Sequence, residues 1–94
     1  MELIGRSILS DFKAKHPDAC SQIDSWEAEV KGADWRTPSD IKARYGRASV
    51  VKDNHVVFNV KGNKYRLLVQ VAYKTKIVLI KKAGTHQEYM NWQV

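Results

Sequence analysis

Arg66 and His86 are the two residues whose types combine most directly into a reaction. A guanidinium presents a planar fork of donors that fits a phosphate in bidentate fashion. Histidine is the side chain whose ordinary titration lies near neutrality, so it can take and give a proton. Around these two stand Asn59, Lys61, Asn63, Lys64 and Tyr89, with Lys81 and Lys82 on the approach to His86. Metal-free cleavage of an RNA strand needs a base for the 2′-OH proton, a cation for the charge on the phosphorane-like transition state and an acid for the leaving 5′-oxygen. Arg66, His86, Tyr89 and Lys64 are the catalytic candidates for that chemistry. Asn59, Lys61, Asn63, Lys81 and Lys82 are the RNA-binding candidates: the cations suit phosphates and the amides a base or sugar edge. The rings of His86 and Tyr89 suit stacking of an unpaired base.

These residues must be brought together by a sheet. From Ala48 the hydrophobic period is two, with Val56, Phe58 and Val60 on one face and His55, Val57, Asn59 and Lys61 on the other. Lys64 to Tyr73 alternates likewise, and Lys76 to Ala83 makes a third long strand. A two-residue loop at Gly62-Asn63 sets Asn59 opposite Arg66 and Lys61 opposite Lys64. A loop at Lys74-Thr75 then sets Arg66 opposite Ala83 and Lys64 opposite Thr85. Thr85-His86-Gln87-Glu88 has the capping-box pattern of a short last helix, which puts His86 and Tyr89 on one helical face. The polar residues therefore converge at one end of the sheet.

Upstream, Ser7 caps a predicted helix on which Ile8, Leu9 and Phe12 keep helical spacing and which ends before Pro17. A second predicted helix runs from Asp18 to Lys31, with Ala19, Ile23, Trp26 and Val30 on one stripe and Gly32 as its stop. Thr37-Pro38-Ser39-Asp40 opens a third, short helix reaching about Arg44. The expected fold is α+β: an N-terminal helical hairpin on an antiparallel sheet of about four strands, with a short C-terminal helix. At 94 residues and 44% hydrophobic, the chain suits one domain with one modest core, spanning 1–94.

The net charge of +6 is unevenly distributed. Residues 1–40 hold five Lys and Arg against eight acids, or −3, whereas residues 41–94 hold eleven against Asp53 and Glu88, or +9. That fits a polyanion held by the C-terminal half, and equally a solvated basic surface. Arg66 on its pattern alone equally fits an outward-facing strand residue. Glu88 reads first as a capping carboxylate, His55 as a surface residue after a turn, and His16 as a charge at a helix end. Trp26, Trp35, Tyr65 and Tyr73 read as core or core edge, and the lone Cys20 as a packing residue rather than a nucleophile. One Cys and three scattered His give no metal-ligand spacing, and no Gly-rich phosphate loop or serine-nucleophile motif is present. No metal or other cofactor is expected. No apolar run is long enough to span a membrane and no signal-peptide core opens the chain, so a cytoplasmic protein without membrane association is expected.

The segments Asn59-Val60-Lys61-Gly62-Asn63-Lys64-Tyr65-Arg66-Leu67 and Gly84-Thr85-His86-Gln87-Glu88-Tyr89 resemble the HigB-type toxins of the RelE superfamily. The likeness extends to Ala33-Asp34-Trp35, the stretch from Thr37 to Lys42, and the Asp53-Asn54-His55-Val56-Val57-Phe58 strand. It implies a RelE-like fold and an mRNA endoribonuclease, in many members acting on mRNA in the translating ribosome. It also implies neutralisation by a HigA-like helix-turn-helix antitoxin encoded beside the toxin. Arg66 matches the superfamily's phosphate-binding arginine. Where RelE itself carries paired lysines on the preceding strand, this chain has Val57 and Asn59, which moves the proton chemistry to His86. Tyr89 resembles in place the tyrosine near the end of RelE. Two other readings stand beside this one. A non-catalytic RNA- or ribosome-binding module would use the same basic sheet. A ParE-like toxin of the same fold, aimed at DNA gyrase, fits less well with the Gly-Thr-His-x-Glu-Tyr ending.

Overall fold

The period-two stretch folds as β2 (Ser49–Val51), β3 (His55–Val60), β4 (Tyr65–Ala72) and β5 (Ile77–Thr85) in a computed structural model that describes residues 1–92. Before them come β1 (Glu2–Ile4), α1 (Arg6–Lys15), a 3₁₀ turn (Pro17–Ala19), α2 (Cys20–Gly32) and α3 (Pro38–Arg44). After them comes α4 (His86–Tyr89). The architecture is α+β as expected, with five strands in the order β1-β5-β4-β3-β2 rather than about four. The extra strand is the short apolar start. β1 lies parallel to β5, with Leu3 beside Val78, so the sheet is mixed rather than wholly antiparallel.

Ser7 does not cap α1. The helix begins two residues earlier, behind Gly5, whose φ of 88° turns the chain out of β1. A Cβ on Gly5 would lie 2.7 Å from the Ile80 carbonyl oxygen, so both conformation and space require glycine. The second helix likewise starts two residues later than expected. Pro17 opens the 3₁₀ turn, and regular α-helix begins only at Cys20. Thr37 is the N-cap of α3 and Pro38 its first residue, as expected, and the first-turn Asp40 accepts from the amides of Arg36 at 2.8 Å and Thr37 at 3.3 Å.

Leu9, Phe12, Ile23, Trp26 and Val30 from α1 and α2 join Val56, Phe58, Val60, Leu67, Val69, Val78 and Ile80 in one buried cluster. Phe58 sits edge-on to Trp26 and Tyr45 and stacks on Trp35. Tyr65 is buried against Phe12 and His16, whose half-buried ring at the C-terminal end of α1 packs against both. Cys20 is half-buried, its thiol 3.7 Å from the Lys13 carbonyl.

The β3–β4 register is the expected one, with Asn59 opposite Arg66. The left-handed residues of that turn are Lys61 (φ 55°) and Gly62 (φ 66°), one position earlier than Gly62-Asn63. On β4–β5 the expected register holds from Val69↔Ile80 to Ala72↔Ile77 and then slips by one. Leu68 pairs with Lys82 and Arg66 with Gly84, not Ala83, while Tyr65 rather than Lys64 faces Thr85. The inserted residue is Lys81, a β-bulge. Hydrophobicity accounts for the slip: without it, Leu67, wholly buried on the helical side, would have Lys82 as its neighbour. With it, Ala83 takes that place and packs on the core, and Lys82 emerges on the other face.

Candidate active site

The face of the sheet opposite α1 and α2 carries the candidate site. Strand alternation sends Arg66, Asn59 and Lys82 to this side, and the bulge aligns Gly84 with Arg66. Thr85 then starts α4 with a complete capping box. Its hydroxyl accepts from the Glu88 amide at 3.2 Å, and the Glu88 carboxylate accepts from the Thr85 amide at 2.9 Å. Those amide and hydroxyl bonds from Thr85 hold the Glu88 carboxyl below the usual range. The His86 amide donates to the Lys64 carbonyl at 3.0 Å, fixing α4 to the start of β4.

Arg66 is 8% exposed, and it ties the site together. One terminal nitrogen donates to the carbonyls of Asn63 at 2.9 Å and Tyr65 at 3.2 Å. The other lies 3.0 Å from His86 Nδ1. A guanidinium only donates, so Nδ1 is the accepting nitrogen and the ring proton is assigned to Nε2. The Tyr89 ring lies 5.3 Å from the guanidinium carbon, in cation–π range, and 6.3 Å from the His86 ring. His86 itself is exposed and Tyr89 half-buried, so the pair is open to a ligand.

The other expected site residues divide. Asn59, half-buried, is next to Arg66 across the strands and 3.4 Å from the Asn63 side chain, so an amide pair flanks the arginine. Lys82 sits on the same face, 5.8 Å from the Trp92 ring. Lys61 and Lys81 are exposed at the turn and the bulge. Lys64 is turned elsewhere: its ammonium is 2.9 Å from Asp18 and lies over the Tyr65 ring. The Asp18 hydrogen bond raises the Lys64 pKa and, reciprocally, lowers that of Asp18. His55 is at the far end of β3, its ring against the Lys52 carbonyl. Trp92 was not among the expected site residues. It meets Tyr89 edge-on at 5.7 Å and covers Gly84, where a Cβ would come within 2.9 Å of its ring. The spacing of three that joins His86 to Tyr89 runs on to Trp92 and was the available signal.

An arginine touching an imidazole, with amides, a lysine and rings around it, forms one basic cluster on the open face of the sheet. The family model of the HigB toxin, described as the RelE-like toxic component of a toxin-antitoxin system, matches residues 19–92, and the chain belongs to that family. Its α+β architecture is accordingly the RelE-like one. The chain is 29% identical over 91 residues to the mRNA interferase toxin HigB of Escherichia coli K12, covering 95% of this chain and 88% of that protein. The same figures hold for proteins named mRNA interferase HigB in Escherichia coli O157:H7 and Shigella flexneri.

Proposed function

We propose that this toxin is an endoribonuclease that cuts mRNA and thereby halts translation, with Arg66 and His86 at the centre of the reaction. The observation that carries this is the 3.0 Å contact between the Arg66 guanidinium and His86 Nδ1 on the open face of the sheet. A scissile phosphate arriving at Arg66 takes over the donor now held by His86. It thereby frees the Nδ1 lone pair beside the 2′-OH it must deprotonate. The 2′-oxygen attacks phosphorus, the bond to the 5′-oxygen breaks, and that oxygen takes up a proton. Arg66 stabilises the charge that builds between these events. Tyr89 holds the guanidinium on its ring face and offers its phenol to the leaving oxygen. Each step uses a group of the chain itself, so we assign the reaction no metal. We place Asn59, Lys61, Asn63, Lys81, Lys82 and Trp92 along the RNA.

The partners follow from the same reading: mRNA, the translating ribosome on which it is cut, and a HigA-like helix-turn-helix antitoxin that covers the basic face. We place the protein in the cytoplasm. Among the described residues no helix is long and apolar enough to cross a membrane. The test is induced expression with mapping of transcript 5′ ends. New ends within coding sequence are expected at growth arrest. Arrest with intact transcripts and inhibited DNA supercoiling would instead establish a gyrase-directed toxin.

A further inference from the structure

Three consecutive carbonyls hold Arg66 and His86 in place. Those of Asn63 and Tyr65 accept from one end of the Arg66 guanidinium at 2.9 and 3.2 Å. Between them, the Lys64 carbonyl accepts from the His86 amide at 3.0 Å. A shift of residues 63–65 therefore moves the arginine and the imidazole together. This stretch leaves the β3–β4 turn, in which Lys61 and Gly62 take left-handed backbone and the Lys64 amide donates back to the Lys61 carbonyl at 3.1 Å. The turn is gripped from the helical layer at both ends. Asp18, in the 3₁₀ turn, accepts from the Tyr65 hydroxyl at 2.8 and 3.0 Å on its two oxygens and from the Lys64 ammonium at 2.9 Å. Gln22, one helical turn further on in α2, accepts from the Lys61 amide at 2.5 Å. These bonds span 47 positions of sequence from Asp18 to Tyr65 and 39 from Gln22 to Lys61.

We propose that Asp18, with Gln22 as the second grip, is a positioning residue for RNA cleavage: through the Tyr65 hydroxyl it sets the backbone on which Arg66 and His86 are held. Neither Asp18 nor Gln22 touches the reacting atoms; both act from the far side of the sheet. The charge of Asp18 does not explain its place. Its side chain is 39% exposed and that of Lys64 62%, so their ion pair adds little stability. A carboxylate close to a basic RNA site also repels phosphates, so its removal by charge alone would strengthen RNA binding. Placement is the larger effect, since a displacement of about 1 Å at reacting groups costs on the order of 10²-fold in rate. Removing Asp18 should therefore slow cleavage while RNA affinity holds or rises. A residue that served charge alone would not separate the two in that way.

The positioning role rests on the RNA-cleaving reading, and one set of variants separates the two. Single-turnover cleavage of a reporter mRNA and affinity for it are measured for the wild type, Asp18→Ala, Asp18→Asn and Tyr65→Phe, each checked by circular dichroism. The ring-nitrogen chemical shifts of His86 and His55 are recorded in each free protein, above the ordinary titration range of imidazole. Phe12 and His16 pack on the Tyr65 ring, so Tyr65→Phe keeps that packing, removes only the hydroxyl and serves as the test if Asp18→Ala does not fold. Asp18→Ala and Tyr65→Phe should slow cleavage by about 10- to 100-fold, with RNA affinity unchanged or higher. Asp18→Asn, whose amide oxygen still accepts from the phenol, should cleave within a few-fold of the wild type. In the two slow variants the His86 ring nitrogens should converge in shift, as the single tautomer fixed by Arg66 gives way to a mixture, while those of His55 stay put. Wild-type cleavage by folded Asp18→Ala and Tyr65→Phe overturns the proposal, as does a loss confined to RNA affinity or an Asp18→Asn as slow as Asp18→Ala. Absence of cleavage by the wild type overturns the endoribonuclease reading itself, and the shifts then decide the positioning alone: His86 nitrogens unmoved in Asp18→Ala would overturn it.

Discussion

Arg66 is nearly buried yet keeps one end of its guanidinium at an exposed imidazole, and this division of labour is what a clamp needs. The inner nitrogen, on the carbonyls of Asn63 and Tyr65, fixes the fork in place; the outer one is exchangeable. The pairing of Asn59 with Arg66 was legible in the sequence, because a short hairpin fixes which residues face each other, and so was the arrival of His86 at the same end of the sheet, though in a register one residue off. The orientation of Lys64 was not. It precedes β4, so strand alternation does not govern its side chain, and its partner Asp18 lies 46 positions away in the acidic half of the chain. Lys64→Ala is therefore expected to cut RNA within a few-fold of the wild type, whereas Arg66→Lys, which keeps the charge but not the fork, should lose most activity. Single-turnover cleavage rates of the two variants check this. Equal losses would mean that Lys64 turns to the substrate in the complex.

The four-residue α4 is too short to persist on its own propensity, so its capping box and its seat on Gly84 decide whether His86 and Tyr89 are in place. Thr85 and Glu88 announced this box by spacing alone, and the structure contains it. The bulge at Lys81 was not legible, since it depends on which side of Leu67 is covered, a tertiary fact. Nor was β1, because three residues of an edge strand carry too little pattern to distinguish from a helix lead-in. The Glu88 carboxyl is lowered by its bonds to Thr85, with Lys15 and His16 adding to the effect. A group whose folded pKa is depressed contributes its stability fully above the unfolded value, near 4.3 for glutamate, and loses it as pH falls through the folded value. Amide exchange should accordingly show the Thr85 and Glu88 amides losing protection as pH falls below the ordinary glutamate range while the β4 amides keep theirs. Glu88→Gln should remove the pH step. A step that persists in Glu88→Gln would assign it to another carboxylate.

At the scale of the molecule, the acidic first forty residues build α1, α2 and the edge strand β1, and the basic remainder builds the other four strands, with their open face, and α4. That division makes the charge asymmetry a property of shape as well as of sequence. The fold class and the helical hairpin were legible because hydrophobic period sets them; the parallel edge of the sheet was not, because local pattern does not encode strand order. RNA affinity should fall with salt, with a slope of about 0.7 per phosphate contact on a single strand. Lys82→Ala should reduce the slope by about that amount, and an unchanged slope would remove Lys82 from the RNA path. Antitoxin binding should mask the same face, so native mass spectrometry of the toxin with its neighbouring helix-turn-helix protein should give a stable complex that no longer cuts. The most direct test of the whole account is the cleavage rate of a reporter mRNA by the wild type, Arg66→Ala, His86→Ala and His55→Ala, each confirmed folded by circular dichroism. Arg66→Ala should lose about 10²–10³-fold, as when one oxyanion donor is removed, and His86→Ala about 10²–10⁴-fold, while His55→Ala, at the far end of β3, cuts as the wild type does. Wild-type cleavage by folded Arg66→Ala or His86→Ala would contradict the account.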